Sequence, residues 1–560
     1  MDHPVLIGLR RPLLQLFART VPRIHKKILS AVDDQHSLED IPIQIHLHGI
    51  DPLNQFLTNK DVFFNENIPS IEIGGVCYEF IRNPPDCNEI DIDLLPIVDC
   101  PVIAKYNLRP GSPTSVNPRF FWYVSEEGVP LALPEKTTGL ESCAYSLDRW
   151  NFRYAGPIFY PKSEDIGKQL CVVVDLGPKT IIRCVLSKDL IKDRPSEPLI
   201  FEERQAQHCA ESASNGCLRV MSYNVLADLY LDLNLPQQDL FFSYCPVQFQ
   251  SFPYRYPLLL KELPGYKADL IFLQEVDDRL RSRYLPVFMR EYGYEFCFKR
   301  KGLLVTEGMV TLYKTNNFSL IDSHDIWLTN LLNAEDYPEN QDIIDLLDKN
   351  EEIKVGVMQK PAIIQLMALR CLWDSSSETI LLTANTHLYF NPLHVNIKVL
   401  QALLCARYIL RIVRKYRKEE PEAKIHYIFA GDFNAVKNEG VYELLCDGYL
   451  SKEHQCWLSK GLSLLDDISV DRIEYSGDSK RKKYFFNLTG DVSTNYTRHQ
   501  INNIERGFDG CLDYIWGSQN IQVENIIPMP SEDLVRKYIA LPSKICPSDH
   551  LPVVCDIILT

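Results

Sequence analysis

The chain has no C-x-x-C pair among its 17 cysteines, which run from Cys77 to Cys555 at irregular, wide spacings. Zinc sites and disulfide frameworks show short paired spacings, so neither is expected, and the thiols read as reduced and mostly buried. No run of about 18 uncharged apolar residues occurs, so no membrane-crossing segment is expected. A basic excess is missing as well: 59 Lys and Arg stand against 74 Asp and Glu, a formal charge of -15. That excludes broad, charge-driven binding to duplex nucleic acid, which leaves a basic footprint. It does not exclude a local acidic pocket that holds cations. No internal repeat is present, which excludes solenoid architectures.

The first 32 residues differ from the rest. Residues 1–32 carry Arg10, Arg11, Arg19, Arg23, Lys26 and Lys27 among Leu, Ile, Val and Phe, with Asp2 as the one acid. A basic, acid-poor, amphipathic start reads as a mitochondrial transit peptide, and the expected location is the mitochondrial matrix. Pro4, Pro12 and Pro22 interrupt any helix there, and few serines are present.

At 560 residues the chain exceeds one ordinary core, so two domains are expected. Residues 38–200 alternate short apolar stretches with Pro, Gly, Asn and Asp, as in Ile43–His48, Phe120–Val124 and Leu170–Asp175. This predicts a separate β-rich N-terminal domain. The polar stretch 202–216 reads as a linker. From residue 217 the pattern changes. Strand-like runs at Leu218–Tyr223, Asp269–Val276, Met309–Tyr313, Ile380–Leu388, Ile425–Ala430, Cys511–Trp516 and Leu551–Leu559 end in or beside polar residues. Val395–Lys415 has helical spacing. Strands alternating with helical stretches predict an α/β layered domain over 217–560. Asn333–Glu352 is acidic and reads as a surface insertion. Arg407, Arg411, Arg414 and Lys418 form a stripe at helical spacing that reads as an exposed helix face.

Six segments at the strand ends carry chemistry: Ser222-Tyr-Asn224, Gln274-Glu-Val276, Asn385-Thr-His387, Gly431-Asp-Phe-Asn434, Leu512-Asp-Tyr514 and Ser548-Asp-His550. Singly, each fits a solvated strand end, a turn or a structural histidine. Together they supply what phosphodiester hydrolysis needs. Carboxylate and amide oxygens suit a hard cation such as Mg²⁺, and imidazoles supply a base and donors for the phosphoryl oxygens. Glu275, Asp432, Asn224 and Asn434 offer the oxygens, and His387 and His550 the donors. Asp549, adjacent to His550, and Asp513 are both candidates to orient an imidazole.

In order and chemistry these segments resemble the endonuclease/exonuclease/phosphatase family from Leu218 to Thr560. The resemblance implies a four-layer α-β-β-α sandwich. It implies Glu275 as the principal metal ligand, Asp432 with Asn434 as the acid/base and metal-linked pair, and His550, paired with Asp549, as the phosphate contact. The implied cofactor is Mg²⁺, with two ions expected and Mn²⁺ as a substitute. Asn385-Thr-His-Leu-Tyr-Phe-Asn-Pro392, Thr494-Asn-Tyr496 and Phe508-Asp-Gly-Cys-Leu-Asp-Tyr-Ile515 are similar to the deadenylase-type branch. That likeness implies an adenine held between Pro392 and Phe508, with Asn495 and Asp513 also on the substrate side. Ser222–Asp228, Lys261–Asp269, Leu541–Ser543, Pro547–His550 and, upstream, Gly156–Pro161 and Ser163–Gly167 are similar to a subgroup acting on 2′-phosphodiester bonds.

The expected activity is therefore removal of adenylates from the 3′ ends of poly(A) tails on mitochondrial RNA, together with cleavage of 2′,5′-oligoadenylate. The expected partners are single-stranded adenylate-rich RNA and oligoadenylates, with no membrane and no obligate protein partner. Preference between 2′,5′ and 3′,5′ linkages stays open, because Thr497–Arg506 is a polar insertion at the implied substrate mouth, with Lys480–Lys483 just upstream. A cytosolic messenger-RNA deadenylase, a phosphatase or phosphodiesterase on a non-RNA substrate, and a non-catalytic RNA-binding protein remain as alternatives.

Overall fold

Alternation of apolar and polar residues becomes two stacked sheets in the C-terminal part and a smaller set of sheets in the N-terminal part. The computed structural model describes residues 45–47, 70–73, 76–79, 86–108, 117–126, 149–177, 183–214, 216–303, 305–373, 378–462, 464, 466–471, 483–490, 493–501 and 504–560. The expected transit peptide over 1–32 and residues 480–482 of the basic run lie outside them. Two compact units are present, Met1–Arg194 and Pro195–Thr560.

The first unit is built of strands. Its largest described sheet joins β1 (Arg119–Ser125), β2 (Trp150–Ala155), β3 (Gln169–Asp175) and β4 (Arg183–Leu190) in the antiparallel order β4-β3-β1-β2. Phe120, Trp122, Val124, Leu170, Val172 and Val174 alternate into one core, with Trp122 stacked on Phe159. Arg183 clamps the buried Asp86 with three hydrogen bonds of 2.8–3.0 Å. Cys171 and Cys184 meet at 3.2 Å as free thiols.

The second unit opens with α1 (Ile200–His208), which replaces the first half of the expected linker. Arg204 is the physical reason. Its buried guanidinium donates to the carbonyls of Pro528, Ile527 and Pro552 and to Tyr266, anchoring the helix to the C-terminal core. The first sheet then begins with β5 (Leu218–Asn224), and α2 (Phe252–Gly265) follows. The same sheet continues with β6 (Leu270–Asp277), β7 (Tyr294–Arg300) and β8 (Glu307–Lys314). The second sheet comes next with β9 (Phe318–Ser323), β10 (Ile363–Cys371) and β11 (Thr379–His387). After α3 (Val395–Glu419) it adds β12 (Lys424–Asp432) and β13 (Phe486–Asn487). A hairpin of β14 (Asn495–Ile501) and β15 (Ile504–Gly510) leads into β16 (Asp513–Gly517). The chain returns to the first sheet with β17 (Ile521–Ile526) and β18 (Val553–Leu559). Strand orders are β7-β8-β6-β5-β18-β17 and β9-β10-β11-β12-β16-β13.

The period of two along each strand sorts side chains between layers. On β5, Leu218 and Val220 face the inter-sheet core with Leu270, Phe272, Leu381, Ile428 and Ile515. Tyr223 points the other way and donates to Glu262 of α2. On the far side, α3 buries Val399, Leu403, Ala406, Leu410 and Val413 against the second sheet. Helix, sheet, sheet, helix is the four-layer arrangement expected.

One surface reading is corrected. Arg407 is 2 % exposed rather than solvated. It is clamped by Asp342 at 2.7 and 2.8 Å and by the carbonyls of Glu339 and Ser469, while Arg411 meets Glu339 and Arg414 meets Asp471. The acidic segment 333–352 lies at the surface but is folded: part of it is a helix, Gln341–Asp348, that buries Ile343 and Leu347, and its Asp342 and Glu339 pair with Arg407 and Arg411 of α3.

The two sheets are also tied by a polar clamp. Asn385 donates to the carbonyls of Leu273 and Val310 and accepts from Gln274 at 2.8 Å, all fully buried. Asn385→Leu removes a donor from each of two buried carbonyls and the shortest acceptor of the Gln274 amide, which keeps only Ser222 and Phe272 at 3.3 Å. It is expected to cost about 3 kcal/mol of unfolding free energy, read from denaturant curves against the wild type.

Candidate active site

One end of the double sheet collects the polar strand ends. The parallel pairing of β11 with β12 sets His387 opposite Asp432, and the antiparallel pairing of β12 with β16 sets Asp432 opposite Asp513. Gly431 makes this register possible: its φ is +150°, and a Cβ there would lie 2.0 Å from the carbonyl oxygen of Thr386. On the other sheet, β6 carries a bulge between Leu273 and Val276, with Glu275 at φ +59°. The bulge keeps Gln274 in the inter-sheet clamp and turns the next carboxylate to the sheet end. There Glu275 Oε2 accepts from the Ala227 amide at 2.9 Å.

Asn224 links the two sheets at this end. Its amide nitrogen donates to Glu275 Oε1 at 2.9 Å and to Asp432 Oδ2 at 3.0 Å, while its oxygen accepts from the Leu226 amide. In this state Asn224 presents nitrogen, not oxygen, to the carboxylates. Two imidazoles converge on the same carboxylate oxygen: His387 Nε2 and His550 Nε2 each lie 3.7 Å from Asp432 Oδ2. Asn434, at φ +48°, donates its backbone amide to Asp432 Oδ1 at 2.8 Å and its side chain to the Leu388 carbonyl.

Asp513, not Asp549, orients His550. Its Oδ2 lies 2.7 Å from His550 Nδ1, whereas the Asp549 carboxylate faces Asn495 at 3.4 Å and Ser548 at 3.5 Å. The reason is register. Asp549, one residue before His550, has its carboxylate turned to Asn495 and Ser548, and sequence adjacency does not fix a side-chain contact. Asn495 sits on β14, bridged by backbone to His550. The insertion 497–506 contributes to the β14–β15 hairpin, tied by Arg498 and Arg536 to Asp509. Phe508 is half-buried on that hairpin over Gly510, and Pro392 is exposed at the start of the turn leading into α3.

Burial dominates the electrostatics. It pushes the Glu275 carboxyl up to about 7, helped by Asp549 and Glu307. It pushes Asp432 up to about 6, helped by Asp513. For His550, burial alone would lower the imidazole, but Asp513, Asp549 and Asp432 outweigh it and hold the ring well above the usual range. For His387, burial acts first, then Lys301 and His550, and all three hold the ring well below the usual range.

A model of the Endonuclease/Exonuclease/phosphatase family matches residues 221–550. The chain belongs to this family. Among curated relatives, 2′,5′-phosphodiesterase 12 of Rattus norvegicus is 30 % identical over 495 residues, covering 87 % of this chain and 76 % of the relative. The Homo sapiens 2′,5′-phosphodiesterase 12 is 29 % identical over 503 residues, covering 87 % and 75 %. The CCR4-Not complex 3′-5′-exoribonuclease subunit Ccr4 of Schizosaccharomyces pombe is 26 % identical over 363 residues, covering 60 % and 48 %. As an endonuclease/exonuclease/phosphatase family member of this branch, the chain is a hydrolase acting on phosphodiester bonds.

The acids fit a divalent cation. Ligand atoms of Asp432, Asp513 and His550 lie within 4.8 Å of one another, and all three residues are buried. Asp513 Oδ1 is buried with no hydrogen-bond partner. Burying so many carboxylates together is unfavourable unless positive charge joins them. Sequence reasoning missed Lys301, Glu307 and Tyr230, and it named Ser548 only as part of a segment, with no role of its own. Ser548 Oγ donates to the Asn224 carbonyl at 2.7 Å and accepts from the His550 amide, fixing the loop that carries His550. Its place two residues before His550 was the one available signal.

Proposed function

We propose that this chain is a Mg²⁺-dependent 3′-end exoribonuclease that removes adenylates from poly(A) tails of mitochondrial RNA and also cleaves 2′,5′-oligoadenylate. The observation that carries the reading is the double convergence on Asp432: two imidazoles at 3.7 Å and the Asn224 bridge to Glu275. An anionic phosphoryl group needs donors on one side and a proton acceptor on the other, and this cluster offers both. Glu275 and Asp432, with Asn434 beside them, would hold Mg²⁺, which supplies charge stabilisation to the phosphoryl oxygens when bound, while the expected ligand Asn224 turns its amide nitrogen to the two carboxylates and bridges them. His550, kept charged by Asp513, donates to a phosphoryl oxygen. Asp432, raised toward neutrality, takes the proton of the attacking water.

Adenine selection rests on Pro392 and Phe508 as the two faces of a base slot, with Asn495 at its edge. The names of the relatives, a 2′,5′-phosphodiesterase and a 3′-5′-exoribonuclease, support the two linkages. The basic segment 1–32 and the free thiols support the mitochondrial matrix.

Purified protein with Mg²⁺ should shorten 3′,5′ oligo(A) and 2′,5′ oligo(A) and leave 3′,5′ oligo(U) intact, read as product ladders. Cleavage of the 3′,5′ adenylate alone would make the chain a plain deadenylase. Cleavage of none would turn attention to lipid and inositol phosphates. Phe508→Ala should raise KM for oligo(A) about tenfold or more, since stacking contributes about 1–3 kcal/mol per base, and should narrow the gap to oligo(U). A fluorescent fusion should lose mitochondrial location when residues 1–32 are deleted.

A further inference from the structure

The two histidines that face Asp432 have opposite partners. His550 Nδ1 meets a carboxylate, Asp513. His387 Nδ1 meets an ammonium: Lys301 Nζ lies 3.1 Å from it. An ammonium has three donors and no acceptor, so His387 Nδ1 must be the accepting, unprotonated nitrogen, and the ring's proton must sit on Nε2. We propose that Lys301 is a positioning residue that holds His387 with Nδ1 accepting and its proton on Nε2, making the ring a fixed hydrogen-bond donor to the phosphoryl group.

Lys301 is itself held in place. Its ammonium pairs with Glu307 at 3.3 Å, its backbone amide donates to the Glu307 carbonyl, and Glu307 is 1 % exposed. The same Glu307 oxygen accepts from the Tyr230 hydroxyl at 2.9 Å. Lys301 follows β7 and Glu307 opens β8, so the turn of one hairpin on the first sheet reaches across to a ring on the second. Glu307 orients Lys301, and Lys301 orients His387. On the other side of the ring, Nε2 is 3.7 Å from Asp432 Oδ2 and 4.0 Å from Glu275 Oε1. Both are too long for hydrogen bonds, so the N–H points at the acidic cluster unspent. An anionic oxygen entering there is met by a donor that needs no rearrangement.

This divides the labour. His550 Nδ1 is held by a carboxylate and His387 Nδ1 by a cation, so the two rings are fixed by opposite partners. The assignment rests on the phosphodiesterase reading for its role in catalysis, but the tautomer itself does not. It is read on the full chain labelled with [¹⁵N]histidine, by long-range ¹H–¹⁵N correlation without substrate, with the His387 signals identified by their loss in His387→Gln.

The wild type should show His387 as the pure Nε2–H tautomer. Lys301→Met should show a second form, and its kcat on oligoadenylate should fall about tenfold or more with KM little changed. Lys301→Arg, another residue with donors only, should keep the tautomer and most of the rate. A wild-type His387 protonated on Nδ1, or a tautomer unchanged in Lys301→Met, would overturn the assignment. Because the spectrum is taken without substrate, it decides the matter even for a protein that leaves every adenylate intact.

Discussion

Glu275→Gln is expected to lower turnover at least about 10³-fold while making the chelated, metal-free protein more stable. The two effects share one cause. The Glu275 carboxyl sits where burial, Asp549 and Glu307 all oppose its charge, and its pKa is pushed from 4.5 up to about 7. A raised folded-state pKa means that the folded protein holds this proton more tightly than the unfolded chain. Stability therefore falls as pH rises from the ordinary carboxyl range toward 7, and the full penalty is present above it. The penalty is of order 3 kcal/mol at most, taking 1.36 kcal/mol per pKa unit. Glutamine keeps the shape and the acceptor toward the Ala227 amide, gives up the acceptor toward Asn224 Nδ2 and removes the charge; with the charge penalty the larger of the two, the metal-free variant should melt higher than the wild type above neutral pH and lose the pH dependence between the two pKa values. Divalent metal should raise the wild-type melting temperature and do little for the variant. A variant that keeps a tenth of the wild-type rate would overturn the role of Glu275, and equal melting of the two metal-free proteins would overturn the electrostatic account.

The strand ends were legible because a buried strand has little reason to finish in Asn-x-x or Gln-Glu unless those groups have work at the layer's edge. Asn224, Glu275, His387, Asp432, Asp513 and His550 were all found that way, and the structure gathers them at one end of the sheets. Lys301 and Glu307 were not legible. They flank a hairpin turn with no motif, and their meaning comes only from the ring of His387 reaching them from the other sheet. The stripe on α3 failed for a related reason. Helical spacing gives the face of Arg407 but not what covers it, and the acids that do so are more than sixty residues upstream, Arg407 and Asp342 being 65 apart. Helix α2 was hidden by Pro257 and Pro264 inside it, although its tyrosines and leucines are buried as any core helix's are. Local pattern reports on period and chemistry, and pairings set by register or by distant segments lie beyond it.

Asp513→Asn is the change that separates register from adjacency, and it is expected to lower kcat about 10²–10⁴-fold with a smaller effect on KM. Asparagine can still accept from His550 Nδ1, so the ring stays in place, but the charge that most favours the imidazolium is gone. Burial, which alone would lower the His550 pKa, then meets only Asp549 and Asp432 in opposition. The pKa falls. If the protonated ring is the working form, activity is lost as pH rises through that pKa, so the alkaline limb of the kcat profile should move to lower pH in Asp513→Asn. Asp549→Asn should shift the limb in the same direction but less, and reduce kcat no more than about tenfold, because its carboxylate touches Asn495 and Ser548 at 3.4 and 3.5 Å and not the imidazole. The reverse ranking, with Asp549→Asn the more damaging, would return the pairing to the sequence neighbour. Equal and small effects would mean that His550 needs no acid to hold its proton, and that Asp432 alone sets its charge.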